Sequence, residues 1–101
     1  MNDRVRPPNR RGCELVDFSS MGLRFTAGVG RNDDGRLAEI FIDNHKTGSS
    51  IGTLVRDAAI VLSLALQHGA DAESIRRSLS RDSSGCALGS LGEILDRVLK
   101  Q

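Results

Sequence analysis

The sequence predicts an α+β domain, a three-stranded antiparallel meander followed by three helices in the order βββααα. Three observations carry this reading. Apolar and polar residues alternate through the first half, as in Leu23, Phe25, Ala27 and Val29. From residue 51 the apolar spacing becomes helical, and turn-forming residues mark each change of pattern.

The elements follow in order. "CELVDF" (13–18) alternates weakly and reads as a first strand, with "SSMG" (19–22) as the turn. "LRFTAGV" (23–29) places Leu23, Phe25, Ala27 and Val29 on one face and Arg24, Thr26 and Gly28 on the other. "RNDDG" (31–35) is the clearest turn, because Asp34-Gly35 tolerates the positive φ a hairpin needs. "RLAEIFI" (36–42) sets Leu37, Glu39 and Phe41 opposite Ala38, Ile40 and Ile42. "DNHKTGSS" (43–50) is a loop whose Ser49 or Ser50 can cap a helix over 51–68, with Gly69 suited to the left-handed position that ends it. "DAESIRRSLS" (71–80) is a second helix capped by Asp71. "SLGEILDRVLK" (90–100) is a third, opening with a Ser90–Glu93 capping box.

The helix over 51–68 is apolar almost all round. Ile51, Val55, Ala58, Leu62 and Ala65 form one stripe, and Leu54, Val61, Leu64 and His68 an adjacent one. Thr53, Arg56, Ser63 and Gln67 take the remaining strip. A membrane span needs roughly 20 apolar residues, and only ten residues separate Arg56-Asp57 from His68. The expectation is a buried helix, with one stripe on the sheet and another on the later helices.

Composition narrows the function classes. The 101 residues suffice for one domain, with residues 1–12 as an Arg-rich arm and 13–101 as the folded unit. A net charge of +1 makes no strong demand for a polyanion, and 3% aromatic residues give little for base stacking. Two cysteines are no disulfide framework, and a reducing, cytoplasmic setting is expected.

Candidate chemistry is sparse. Cys13, His45, His68 and Cys86 lack the tight ligand pairs of zinc sites, so no metal and no cofactor is expected. Cys86 reads as a small buried hydrophobe. "KTGSS" (46–50) precedes a long helix, so Lys46, Ser49 and Ser50 could hold a phosphate at its N-terminus; the plainer reading is a serine cap. Arg10 and Arg11 could add a bidentate clamp. Arg56 and Asp57 are sequence neighbours and do not face each other; each needs its own partner, Glu39 or Asp43 for Arg56 and Thr53 for Asp57. They are read as structural, and no catalytic residue is assigned. The last two helices have the outline of a helix-turn-helix. Their connection is too long, however, and the third helix carries Glu93 and Asp96, which would repel phosphate.

Taken together, "NRRGCELVDF", "LRFTAGVGRNDDGRLAEIFID", "KTGSS", "RDAAIVLSLALQHG" and "SLSRDSSGCALGSLGEILD" resemble the TSCPD domain, over roughly residues 9–97. That domain occurs at the C-terminus of cobalamin-dependent (class II) ribonucleotide reductases and in a short stand-alone form. The resemblance implies a link to deoxyribonucleotide synthesis. It does not imply the reductase reaction, whose barrel, radical cysteine and cobalamin site 101 residues cannot house. The name-giving Thr-Ser-Cys-Pro-Asp string is replaced here by Gly89-Ser90-Leu91-Gly92, so no thiol or metal role is carried over. The expectation is a non-catalytic accessory module that binds a protein partner, a ribonucleotide reductase among them, or a nucleotide or nucleic-acid phosphate. The phosphate or partner contacts fall to Arg10, Arg11, Lys46, Ser49 and Ser50. The alternatives are a small redox protein using Cys13 or Cys86, and a structural homodimer formed through exposed sheet edges.

Overall fold

The computed structural model of the protein describes residues 13–45 and 50–99. The expected order βββααα is observed. Strands β1 (Glu14–Ser20), β2 (Leu23–Arg31) and β3 (Leu37–Asn44) precede helices α1 (Ser50–Gln67), α2 (Ala72–Ser78) and α3 (Ser90–Leu99). The sheet order is β1-β2-β3, antiparallel throughout.

The first hairpin is tighter than the sequence suggests. Ser19 and Ser20 belong to β1 and not to the turn, which is Met21-Gly22 alone, with φ of 54° and 73°. Two residues at positive φ give the turn whose twist matches the strands it joins. The second turn is as expected: Gly35 has φ 88°, and its N–H donates to Asn32 O at 2.9 Å. A register shift at Gly30/Arg31 ends β2 and brings Leu37 to the buried side.

One face of the sheet is the core. Phe18, Phe25, Ala27, Val29, Ile40 and Ile42 project from it, and Phe18 and Phe25 stack with ring centroids 5.6 Å apart. Val55, Ala59, Leu62 and Leu66 of α1, and Ile94, Leu95 and Val98 of α3, close over them. The other face is left open, as the alternation in β2 predicts.

Helix α1 departs from expectation in two ways. Its buried stripe is Gly52, Val55, Ala59, Leu62 and Leu66, and it packs chiefly on β3. The second stripe is not covered by the later helices: Leu54 is 68% and Val61 66% exposed. Conversely, Ser63 and Gln67, read from the sequence as part of a polar strip, are buried. They seal the outer edge of β3. Ser63 Oγ accepts from Ile40 N–H at 2.8 Å and donates to Ile40 O at 2.9 Å. Gln67 Nε2 donates to Ala38 O at 3.1 Å. The backbone of an edge strand would otherwise lie buried under α1 without partners, which is costly. Gly52 permits this approach, since a Cβ there would sit 2.8 Å from Asn44 Nδ2. By length and hydropathy α1 could cross a membrane; here it is the helix tied by side chains to β3.

Asp71 caps α2 as expected, its carboxylate accepting from Ser74 N–H at 3.1 Å. The Ser90–Glu93 capping box does not form. Glu93 instead pairs with Arg97 at 2.8 Å, and Ser90 Oγ is buried without a hydrogen-bond partner.

Candidate functional site

Of the residues assigned to phosphate or partner binding, Arg10, Arg11, Lys46 and Ser49 lie outside the described residues. Ser50 is the first residue of α1 and is exposed. Arg56 meets Asp43 across the α1–β3 contact at 3.6 Å, one of the two partners expected. Asp57 is exposed, so neither charge is trapped inside α1. Both cysteines are free and exposed, which corrects the reading of Cys86 as buried. Its loop is stitched by the Asp82 carboxylate, which accepts from the N–H groups of Ser84 and Cys86, and leaves the thiol outside. Among the described residues, no group of His, Cys, Asp and Glu has a metal-binding arrangement.

Three features could carry function. The first is a polar line on the open sheet face. Asp17 and Thr26 are cross-strand partners, and Thr26 Oγ1 donates to Asp17 Oδ1 at 2.6 Å. His45 Nε2 lies 2.7 Å from the same hydroxyl. Threonine has one proton to give, so the bond from His45 runs inward, from Nε2–H to Oγ1. A nucleophile triad has the opposite polarity, with the hydroxyl proton directed at the imidazole. The line is therefore a structural clasp. It was legible in principle, because Asp17 and Thr26 occupy matching registers across a two-residue turn.

The second is a cleft of about 700 Å³ between the β2–β3 turn and the α1–α2 turn, lined by Arg31, Arg36, His68, Asp71 and Leu99 among others. Its charged groups are already engaged. The Arg31 guanidinium donates to Val98 O at 3.0 Å and Gly35 O at 3.2 Å. Asp71 caps α2 and Glu73 holds Arg76.

The third is the exposed side of α1. Ile51, Leu54, Ala58, Val61 and Ala65 recur at intervals of three and four, the spacing of a helix-packing seam. Leu54 and Ala58 continue into a groove of about 320 Å³ whose other walls include Met21, Leu79, Ser90 and Leu91. No charged residue lines it. An exposed apolar surface of this kind, joined to a groove, is what a protein-contact site presents.

The far wall of that groove is held by a charge network that the sequence did not reveal. Asp96 of α3 accepts from Arg81 at 2.8 and 2.9 Å and from Arg76 of α2 at 3.0 Å. Arg76 also grips Glu73 with two donors. The hydrogen bonds from Arg81, then the one from Arg76, hold the Asp96 carboxyl at about 2. Arg76 and Arg81 are pushed further up by the carboxylates they hold, and Glu73 is held below the usual carboxylate range by Arg76. The network locks α2, the loop after it and α3 into one piece, which fixes Leu79 and Leu91 relative to Leu54. It also accounts for Asp96, which in the sequence is only an acid that would repel phosphate. Helix α3 is instead a core element, with Ile94 and Leu95 fully buried.

The model of the TSCPD domain matches residues 5–101. The chain belongs to the TSCPD domain family. The vitamin B12-dependent ribonucleotide reductase of Bradyrhizobium diazoefficiens is 39% identical over 69 residues, 68% of this chain and 6% of that protein. That of Agrobacterium fabrum is 37% identical over 71 residues, 70% of this chain and 6% of the relative. That of Rhodopirellula baltica is 36% identical over 77 residues, 76% of this chain and 7% of the relative. The TSCPD chain thus spans only 6–7% of the length of these reductases. No solved structure matches.

Proposed function

We propose that this TSCPD domain is a protein-binding accessory module of the ribonucleotide reductase system, linked to deoxyribonucleotide synthesis and without a reaction of its own. Its contact surface is the exposed side of α1 with the adjoining groove. The carrying observation is that Leu54 and Val61 stand 68% and 66% exposed in an apolar row that runs into a neutral groove. The occupant is a reductase polypeptide, since the reductases named above contain a segment of this type within a far longer chain.

The phosphate-binding assignment to Arg10, Arg11, Lys46, Ser49 and Ser50 rests on sequence alone. The surface on α1 rests on geometry and is the better supported of the two. Interface energy concentrates in a few well-buried apolar anchors. Titration calorimetry of a B12-dependent reductase polypeptide lacking this segment against the domain tests the proposal. Replacing Leu54 and Val61 together by Asp should weaken binding by about 30-fold or more, the scale of a hot spot. Replacing Arg10 and Arg11 by Ala should leave it unchanged. The reverse pattern would refute the assignment to α1.

A further inference from the structure

The two edges of the sheet differ. The outer edge of β3 lies against α1, where Ser63 bonds both backbone groups of Ile40 and Gln67 bonds Ala38 O. The outer edge of β1 has no such partners among the described residues. The two-residue turn makes Ser20↔Leu23 the pair that closes the hairpin, so Glu14, Val16, Phe18 and Ser20 bond to β2. Leu15, Asp17 and Ser19 therefore turn their N–H and C=O groups outward, and among the described residues nothing meets them.

Edge strands are normally guarded by lysine, proline or a bulge. Strand β1 has none of these: its register with β2 is unbroken, and it reads ELVDFSS. Asp17 could act as a guard, but its carboxylate is drawn inward by Thr26. Leu15 is 76% exposed, the most exposed of the large apolar side chains among the described residues. It lies in a row with Gly28 and Phe41, its Cδ2 3.9 Å from where a Cβ of Gly28 would be.

We propose that two copies of the chain pair through β1, antiparallel about a two-fold axis at Leu15, into one six-stranded sheet. Charge and apolar contact together select this register. Centring the pair on Asp17 would oppose two carboxylates, which destabilises a sheet. Centring it on Leu15 sets Leu15 against Leu15 of the second copy, Glu14 against Val16 and Cys13 against Asp17, with no like charges opposed. It also joins the two Phe41–Gly28–Leu15 rows into one apolar band on the open face. A pairing centred on Val16 also opposes no like charges, but it sets Leu15 against Asp17 and leaves the apolar rows apart. A net charge of +1 per chain gives little repulsion between copies. This pairing is separate from the surface on α1, and the two fail independently.

Sedimentation equilibrium of the full chain should show a dimer. Leu15→Pro should give a folded monomer, because the N–H it removes serves no bond among the described residues and proline is tolerated on an edge. Leu15→Lys, which opposes two ammonium groups only in this register, should do the same. The Leu54→Asp/Val61→Asp variant should remain a dimer. Hydrogen exchange of the wild-type chain keeps the test open if a variant misfolds. The Leu15 and Asp17 amides should exchange more slowly as concentration rises. A monomer at every concentration, a dimer indifferent to Leu15→Lys, a dimer lost in the α1 variant, or exchange at Leu15 and Asp17 that ignores concentration would each overturn the proposal.

Discussion

The two long sides of α1 have nearly the same apolar character and opposite fates. One side lays Val55, Ala59, Leu62 and Leu66 on the sheet and inserts Ser63 and Gln67 into the edge of β3. The other displays Ile51, Leu54 and Val61. The buried side is recognisable by its small and polar residues and not by greater hydrophobicity. Gly52 and Ala59 let the helix come close, and two hydrogen-bonding side chains satisfy backbone that the approach would otherwise strand. The exposed side has Ala58 and Ala65 but no polar side chain bonded to strand backbone, and among the described residues Leu54 and Val61 are left largely uncovered.

The comparison breaks first at Leu62 and Val61. Leu62→Ala should destabilise the domain by about 2–5 kcal/mol, the usual cost of a core cavity. Val61→Ala, one residue away, should change stability by less than about 0.5 kcal/mol, as exposed positions do. Chemical denaturation of both variants reads the contrast; equal effects would mean that α1 is covered on both sides. Next is Ser63→Ala. It leaves the Ile40 N–H and C=O buried without their partner, which costs about 1–3 kcal/mol. A loss no larger than that of Val61→Ala would show that the β3 edge is satisfied by other means.

The groove wall gives a smaller effect with a defined sign. The Asp96 carboxyl sits at about 2 in the folded chain against 3.8 ordinarily. The folded state therefore binds fewer protons than the unfolded one between those values. The stabilisation is complete above about pH 4 and is lost as the pH falls toward 2. Asp71, Glu73 and Asp82 are lowered as well and act in the same direction. Thermal melts between pH 6 and pH 2 should show this decline. Asp96→Asn, already lacking the ion pair, should melt lower at pH 6 and fall less steeply; an equal slope would remove Asp96 from the network.

The sequence makes the fold largely legible, because period-2 alternation in Leu23–Val29, Asp34-Gly35 and Gly69 are each local signals. It leaves α1's orientation open. A helix apolar on every side has no periodicity from which to choose a face, and Ser63 and Gln67 read as solvent-facing when their real partners are backbone atoms more than twenty residues away. The same limit hides the Arg76–Asp96–Arg81 network, since residues 15 and 20 positions apart meet only after the loop has folded. Cys86 misleads because a cysteine beside glycine gives no sign of which way the loop will turn it.

The central claim is that the uncovered side of α1 is where a partner sits. Its most direct test is an NMR titration of the isotope-labelled chain with a B12-dependent reductase polypeptide that lacks this segment. Perturbations and broadening concentrated at Leu54, Ala58, Val61 and Leu91 are the predicted result. Signals from those residues that stay unmoved while the sheet or the cleft at Arg31 and Arg36 responds would contradict it.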